Sequence, residues 1–289
     1  MWLLRFLKAN VLYLVWFLFY FGIAWLIFGA NQRSLIIVSI IYATSMMIAL
    51  SPLGEILLRI SQGCRLPSTE QEKKYLLPLF EEVCEQAREI NPSLNKGLKV
   101  YIMDAMYTNA FAVGRKTVAI TRGAINTFSR EELKGIIAHE LGHLTHGHTK
   151  ALLLTYIGNL LFTAIVFVLR LGIKLLEIII DIVMQFNVIV IIFRFIEWVM
   201  KMFFEIAVFL FIGFGNLIMS LNSRTNEYQA DKFAYEIGLG RQLTSGLYKL
   251  QKTSMSGKVK LSEKLMASHP HIAKRIERLE TLENEGYEE

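Results

Sequence analysis

Two charge-free stretches at the start of the chain limit what it can fold into. No Asp, Glu, Lys or Arg occurs from Ala9 to Gln32 or from Ser34 to Gly54. Each stretch exceeds the ~20 residues that a helix needs to cross a bilayer, so residues 1–54 are expected to form a transmembrane hairpin. The first run is too long for a cleaved leader and lacks a small-residue cleavage site, which fits a retained signal anchor. Two further charge-free runs, Ala151–Leu169 and Ile206–Ser223, read as crossings. The fold class expected is therefore a multi-spanning α-helical membrane protein with about four transmembrane helices.

Between the last two runs, the apolar block Leu171–Lys201 is interrupted by Lys174, Glu177, Asp181, Arg194, Glu197 and Lys201. Its charge-free core, Ile182–Phe193, is about 18 Å of helix and falls short of a ~30 Å hydrocarbon layer. An interfacial or re-entrant segment is expected there rather than a fifth span.

The chain is 53% apolar and 19% charged, which excludes disorder. Its net charge of +6 comes without a basic patch, because the polar segments 53–150 and 222–289 are nearly balanced; no nucleic-acid surface is expected. Arg5 and Lys8 before the first run, and Arg59, Arg65, Lys73 and Lys74 after the second, place the polar segments on the cytoplasmic side of the cell (inner) membrane. Cys64 and Cys84 are too few for a disulfide framework and read as small core or juxtamembrane residues.

Within the polar segments, Thr69 followed by Glu72 opens an amphipathic helix to Ile90, with Leu76, Leu79, Phe80, Val83 and Ala87 along one face. Leu98–Asp104, Asn109–Val113 and Thr117–Thr121 are β-rich, the last two joined by Gly114-Arg115-Lys116 as a tight hairpin. Ser129 with Glu132 is a second capping box, opening a helix through at least Thr145.

That helix carries His139-Glu140-Leu141-Gly142-His143. Histidines at i and i+4 share one face and can reach a single tetrahedral Zn²⁺. Glu140 beside them can take a proton from a water acidified by the metal and return it to a leaving amine. A third donor is required. His146 is seven residues, about 10 Å of helix axis, from His139, so His146 and His148 are expected as capping or supporting groups. The better candidate is Glu227, just past the last charge-free run and at the start of a helix. Asp231, one turn on, can orient a ligand histidine. If Glu227 and His143 bind one ion, an even number of crossings must separate them, and the two runs between them supply it. A metal-binding helix without hydrolysis remains open on these residues alone.

Taken with Asn109-Ala110-Phe111-Ala112, Arg224, Ser268-His269-Pro270 and Arg275-Ile276, this ordered set resembles the HtpX-like membrane zinc metallopeptidases, bacterial relatives of the CaaX prenyl protease clan of gluzincins. The resemblance covers nearly the whole chain. It implies an endopeptidase of membrane protein quality control and stress response, with an α+β gluzincin-like catalytic domain and one Zn²⁺ per chain. His139, His143 and Glu227 would be ligands and Glu140 the base. Asn109, Ala110, Phe111 and Ala112 would hold substrate in extended form, although an ordinary hairpin strand reads the same way. His269 would stabilise the oxyanion and Arg275 would orient neighbours through an ion pair.

Four regions follow: the hairpin 1–54, a first catalytic segment at 55–150, a membrane insert at 151–223, and a second catalytic segment at 224–289. Partners implied are unfolded polypeptides or membrane proteins as substrates, the lipid bilayer and no nucleic acid, with assembly into a homo-oligomer left open. The rival from another class is a non-hydrolytic zinc-binding membrane scaffold or substrate-holding factor.

Overall fold

The structure, a computed structural model, describes residues 15, 17–26, 28–150, 153, 167–179, 189–256 and 272–285. The chain divides into two units, Met1–Ser45 with Tyr156–Asn222 and Met46–Thr155 with Ser223–Glu289.

In the first unit, helices α1 (Phe17–Leu26) and α2 (Gln32–Leu50) are joined by a short turn through Gly29 and Ala30. Asn31 and Ser34 cap α2 reciprocally: the Ser34 amide donates to Asn31 Oδ1 and the Asn31 amide to Ser34 Oγ, each at 2.9 Å. Tyr20, Ala24, Val38 and Tyr42 pack between the two helices, with Phe17 edge-on to Tyr42. Among the described residues, α2 is the one helix found long and apolar enough to cross a membrane.

Helix α7 (167–179) and helix α8 (Ile189–Glu236) follow. The second half of the block Leu171–Lys201 is therefore not a segment of its own, contrary to the sequence-based expectation. It runs unbroken through 206–223 to Glu236. Of the charges that read as interruptions, Glu177 and Lys201 pair between the two helices at 2.5 Å, and Arg170 and Glu205, just outside the block, pair likewise at 2.6 Å. Neither Gly nor Pro stands between Ile189 and Lys201 to break the helix. It follows that Glu227 sits deep within α8 rather than at a helix start. The run Ala151–Leu169 lies outside the described residues except for 153 and 167–169.

The second unit contains helix α3 (Pro52–Ser61), strand β1 (Cys64–Arg65), helix α4 (Glu70–Ile90), strands β2 (Lys99–Met103), β3 (Ala110–Val113) and β4 (Thr117–Thr121), and helices α5 (Arg122–Thr127) and α6 (Arg130–His146). Helices α9 (Gly240–Ser256) and α10 (Ile272–Glu285) complete it, with the last turns of α8. The strands form one sheet in the order β1-β2-β4-β3. β2 and β4 are parallel, β3 and β4 antiparallel with Phe111 opposite Ala119, and β1 adds to the outer side of β2. β3 is thus an edge strand.

Both expected capping boxes form, Thr69 with Glu72 on α4 and Ser129 with Glu132 on α6. Leu76, Leu79 and Val83 of α4 recur at helical spacing and meet Ile102, Ile120, Leu133, Ile137 and Leu141 in the core. α6 is buried continuously from Leu133 to Gly142, because α4 and the sheet cover one side while Leu243 and Leu247 of α9 join the core from another. Cys64 and Cys84 are free thiols, Cys84 in the core.

The helix contacts are close. A Cβ on Gly135 would lie 2.3 Å from the Leu243 backbone nitrogen, and one on Gly142 would lie 2.8 Å from Ala230 Cα. Gly135→Ala should gain ~1 kcal/mol of helix propensity, but backbone cannot yield as a side-chain tip can, and overpacking of this kind costs about 1–3 kcal/mol. Net destabilisation is expected, seen as a lower thermal unfolding midpoint of the detergent-purified protein.

Candidate active site

The buried helix α6 sets His139 and His143 one turn apart with their rings nearly perpendicular and their Nε2 atoms 3.1 Å apart. Glu227, brought in by α8, places Oε2 3.4 Å from His139 Nε2 and Oε1 3.4 Å from His143 Nε2. The close approach of α8 to α6 at Gly142 and Ala230 makes this convergence possible.

Two observations show that this trio suits a metal ion. Bonds of 2.0–2.2 Å to nitrogen and oxygen donors give a tetrahedron with edges of about 3.3 Å, close to the three donor separations. Glu140, Glu227 and Asp231 are all buried against a single buried guanidinium, Arg275. With neutral histidines the cluster carries two more negative than positive charges, which a divalent cation balances. Among the described residues, His139, His143 and Glu227 are the group that could hold an ion.

Supporting groups fix the donors. The Asp231 carboxylate lies 2.9 Å from His139 Nδ1, so Nδ1–H donates to it and the Nε2 lone pair is left facing the trio. Arg275, from α10, donates through Nε and Nη2 to both Asp231 oxygens at 2.8 and 2.6 Å, and its Nη1 meets Glu227 Oε2 at 2.9 Å. One side chain thereby holds the metal-facing carboxylate and the histidine-orienting one.

His146 and His148 lie outside the trio. His146 Nδ1 is 2.8 Å from the Gly142 carbonyl, at the end of the helix. α6 then stops at Gly147 in the left-handed conformation, φ +76°. That turn returns His148 to His143, Nδ1 to Nδ1 at 3.0 Å, and places His148 Nε2 2.9 Å from Gln229 Oε1. With the His143 Nε2 lone pair directed at the metal position, its Nδ1–H donates to His148 Nδ1, and His148 Nε2–H donates to Gln229. Sequence reasoning missed Gln229; the one available signal was the glycine after His146, which marks where the chain must fold back.

Glu140 is buried on α6 beside His139. Asn109 stands just before β3, its backbone tied to Thr121 in both directions: the carbonyl accepts from the Thr121 amide at 3.0 Å, and the amide donates to Thr121 Oγ1 at 2.9 Å. Ala110, Phe111 and Ala112 occupy the edge strand itself. His269 lies outside the described residues.

Residues 71–283 match peptidase family M48. The chain belongs to that family. A protease HtpX homologue from Dictyoglomus turgidum is 32% identical over 143 residues, covering 48% of this chain and 44% of the relative, so the match spans less than half the length of that protein. One from Streptococcus agalactiae is 26% identical over 288 residues, 89% of each chain. The crystal structure of Ste24p from S. mikatae is similar with a TM-score of 0.47 and 18% identity, over 96% of this chain and 65% of that one.

In this M48 chain without metal, burial and the Arg275 charge oppose a cation on His139, but the Asp231 and Glu227 carboxylates outweigh them and raise it from 6.5 to about 9. Burial likewise pushes Asp231 up, and Arg275 with His139 overcome this to hold it at about 2. Because the His139 value is raised, its contribution to stability is complete below pH 6.5 and is lost as pH rises through 9. Metal-free protein should therefore lose thermal stability across that window. Divalent-metal affinity should rise over the same window, because binding displaces the His139 proton; thermal unfolding with and without chelator, and chelator competition at several pH values, measure the two effects.

His148→Ala should weaken divalent-metal binding by about 10–100-fold. His148→Gln, which restores an acceptor, should recover most of it in the same competition assay.

Proposed function

We propose that this protein is a zinc-dependent endopeptidase of the cell membrane that hydrolyses misfolded or damaged membrane proteins at the cytoplasmic face. The observation that carries this reading is the convergence of His139, His143 and Glu227 next to a buried Glu140. Membership of a peptidase family and relatives named as proteases support it.

His139, His143 and Glu227 would hold one Zn²⁺ per chain. When bound, the metal supplies Lewis acidity, polarising a peptide carbonyl and making a water molecule more acidic. Glu140 accepts the proton of the attacking water at its carboxylate and delivers it to the departing amine. Asp231 keeps the His139 proton on Nδ1, and Arg275 holds the Asp231 and Glu227 carboxylates in place. His269 is assigned the donor that meets the oxyanion developing on the substrate carbonyl. The outer side of β3, with Asn109 at its start, is assigned to an unfolded substrate segment that adds as a further strand.

For the membrane arrangement, the reading has four crossings: the hairpin within 1–54 and the runs Ala151–Leu169 and Ile206–Ser223. The catalytic segments 55–150 and 224–289 then share one side of the membrane. The basic residues Arg59, Arg65, Lys73 and Lys74 after the hairpin support the cytoplasmic side.

Glu140→Gln tests the reading. The variant should bind Zn²⁺ as wild type does while cleaving an unfolded model protein at least 100-fold more slowly, with both proteins purified in detergent without metal until assay. Undiminished cleavage by the metal-loaded variant would remove Glu140 from the base role. Zinc binding without cleavage by either protein would favour a scaffold.

A further inference from the structure

Helix α3 begins directly after the apolar helix α2, with Ser51 alone between them. Its two faces differ in kind. Gly54, Glu55 and Leu58 are buried, Leu58 packing with Val113 and Phe111 of β3. From the same face the Glu55 carboxylate accepts the Thr117 hydroxyl at 2.5 Å and the Arg115 amide at 3.1 Å. It thereby grips the β3–β4 turn. Gly114 in that turn has φ +64°, and a Cβ there would lie 2.4 Å from Glu55 Oε2, so both the conformation and the contact require glycine. Thr149, just beyond α6, donates to the Gly114 carbonyl at 2.6 Å and fastens the turn from a second direction.

The opposite face carries Leu53, Ile56, Leu57 and Ile60, all exposed, Leu53 to 59% and Ile60 to 70%. Spacing of i, i+3, i+4 and i+7 makes them one continuous stripe. The stripe bears no charge. Arg59, the one cation of the helix, has its guanidinium 4.6 Å from the centre of the Tyr101 ring and also meets the Tyr101 hydroxyl.

We propose that α3 is an interfacial helix whose Leu53, Ile56, Leu57 and Ile60 stripe sits in the lipid bilayer while its Glu55 face holds the β3–β4 hairpin. The inference rests on α2 crossing the membrane, as in the proposed function. A chain leaving the bilayer at Leu50 has about 3.8 Å per residue in which to move away, so α3 starts at the lipid surface. An amphipathic helix with an apolar stripe at that depth lies in the plane of the membrane. The partner of this face is thus lipid, and the tip of the edge strand is fastened within about one helix diameter, 10–12 Å, of it.

Nitroxide labels can decide this in the full chain reconstituted in phosphatidylcholine and phosphatidylglycerol vesicles. Cys64→Ser removes the accessible thiol, while burial pushes the Cys84 thiol up to about 12 and keeps it unreactive. Labels at Ile56→Cys and Ile60→Cys are expected to collide more with oxygen than with a water-soluble nickel chelate, at a depth of about 5–10 Å. Label at Glu89→Cys, exposed on α4, should show the reverse, and one at Ile40→Cys, on α2, should read as deep lipid.

If Ile40→Cys reads as lipid while both α3 labels match Glu89→Cys, the inference is overturned and the membrane crossing stands. If Ile40→Cys also reads as water, the crossing itself falls and takes the inference with it. Labels at 56 and 60 shielded from both reagents would overturn it in favour of a protein surface, a second copy included.

Discussion

The buried guanidinium of Arg275 is the interaction on which the rest of the site depends. It reaches from α10 to Asp231 and Glu227 on α8, and through Asp231 it fixes the ring of His139 on α6. Three helices from distant stretches of the sequence are thereby tied at one point. A guanidinium out of water is stable only with its donors paired, and the two carboxylates are stable only with a cation between them. Each of these charges therefore depends on the others for its partners.

Packing around α6 serves the same end. Where α8 passes it, Gly142 and Ala230 remove the side chains that would hold the helices apart; where α9 passes it, Gly135 does so. Helices at ordinary separation would leave Glu227 out of reach of the histidines. The central helix is thus surrounded by backbone rather than by long side chains at the points that matter.

Much of this was legible in the sequence because it is local. The capping boxes at Thr69 and Ser129, the stripe through Leu76, Leu79 and Val83, the hairpin around Gly114 and the paired histidines all express themselves within one or two turns of chain. Glu227 was reachable despite its distance because two histidines require a further donor and it stands just past the last charge-free run. The continuity of Ile189–Glu236 was not legible: Glu177 and Lys201 read as interruptions along the chain, and their pairing exists only across two helices. The two-residue strand at Cys64, the His148–Gln229 contact and the grip of Glu55 on the hairpin were hidden for the same reason. Each joins residues whose partners carry no periodic signal.

The unbroken helix α8 has a consequence for how the protein is made. His139, Glu140 and His143 leave the ribosome well before Glu227, and Glu227 before Arg275. A growing chain therefore displays two donors and a carboxylate but neither the third donor nor the cation that positions it. Glu227 also lies one turn beyond Ser223, at the end of the last charge-free run, within the same helix. Synthesis order thus leaves the site incomplete until the C-terminal helix that carries Arg275 has been made.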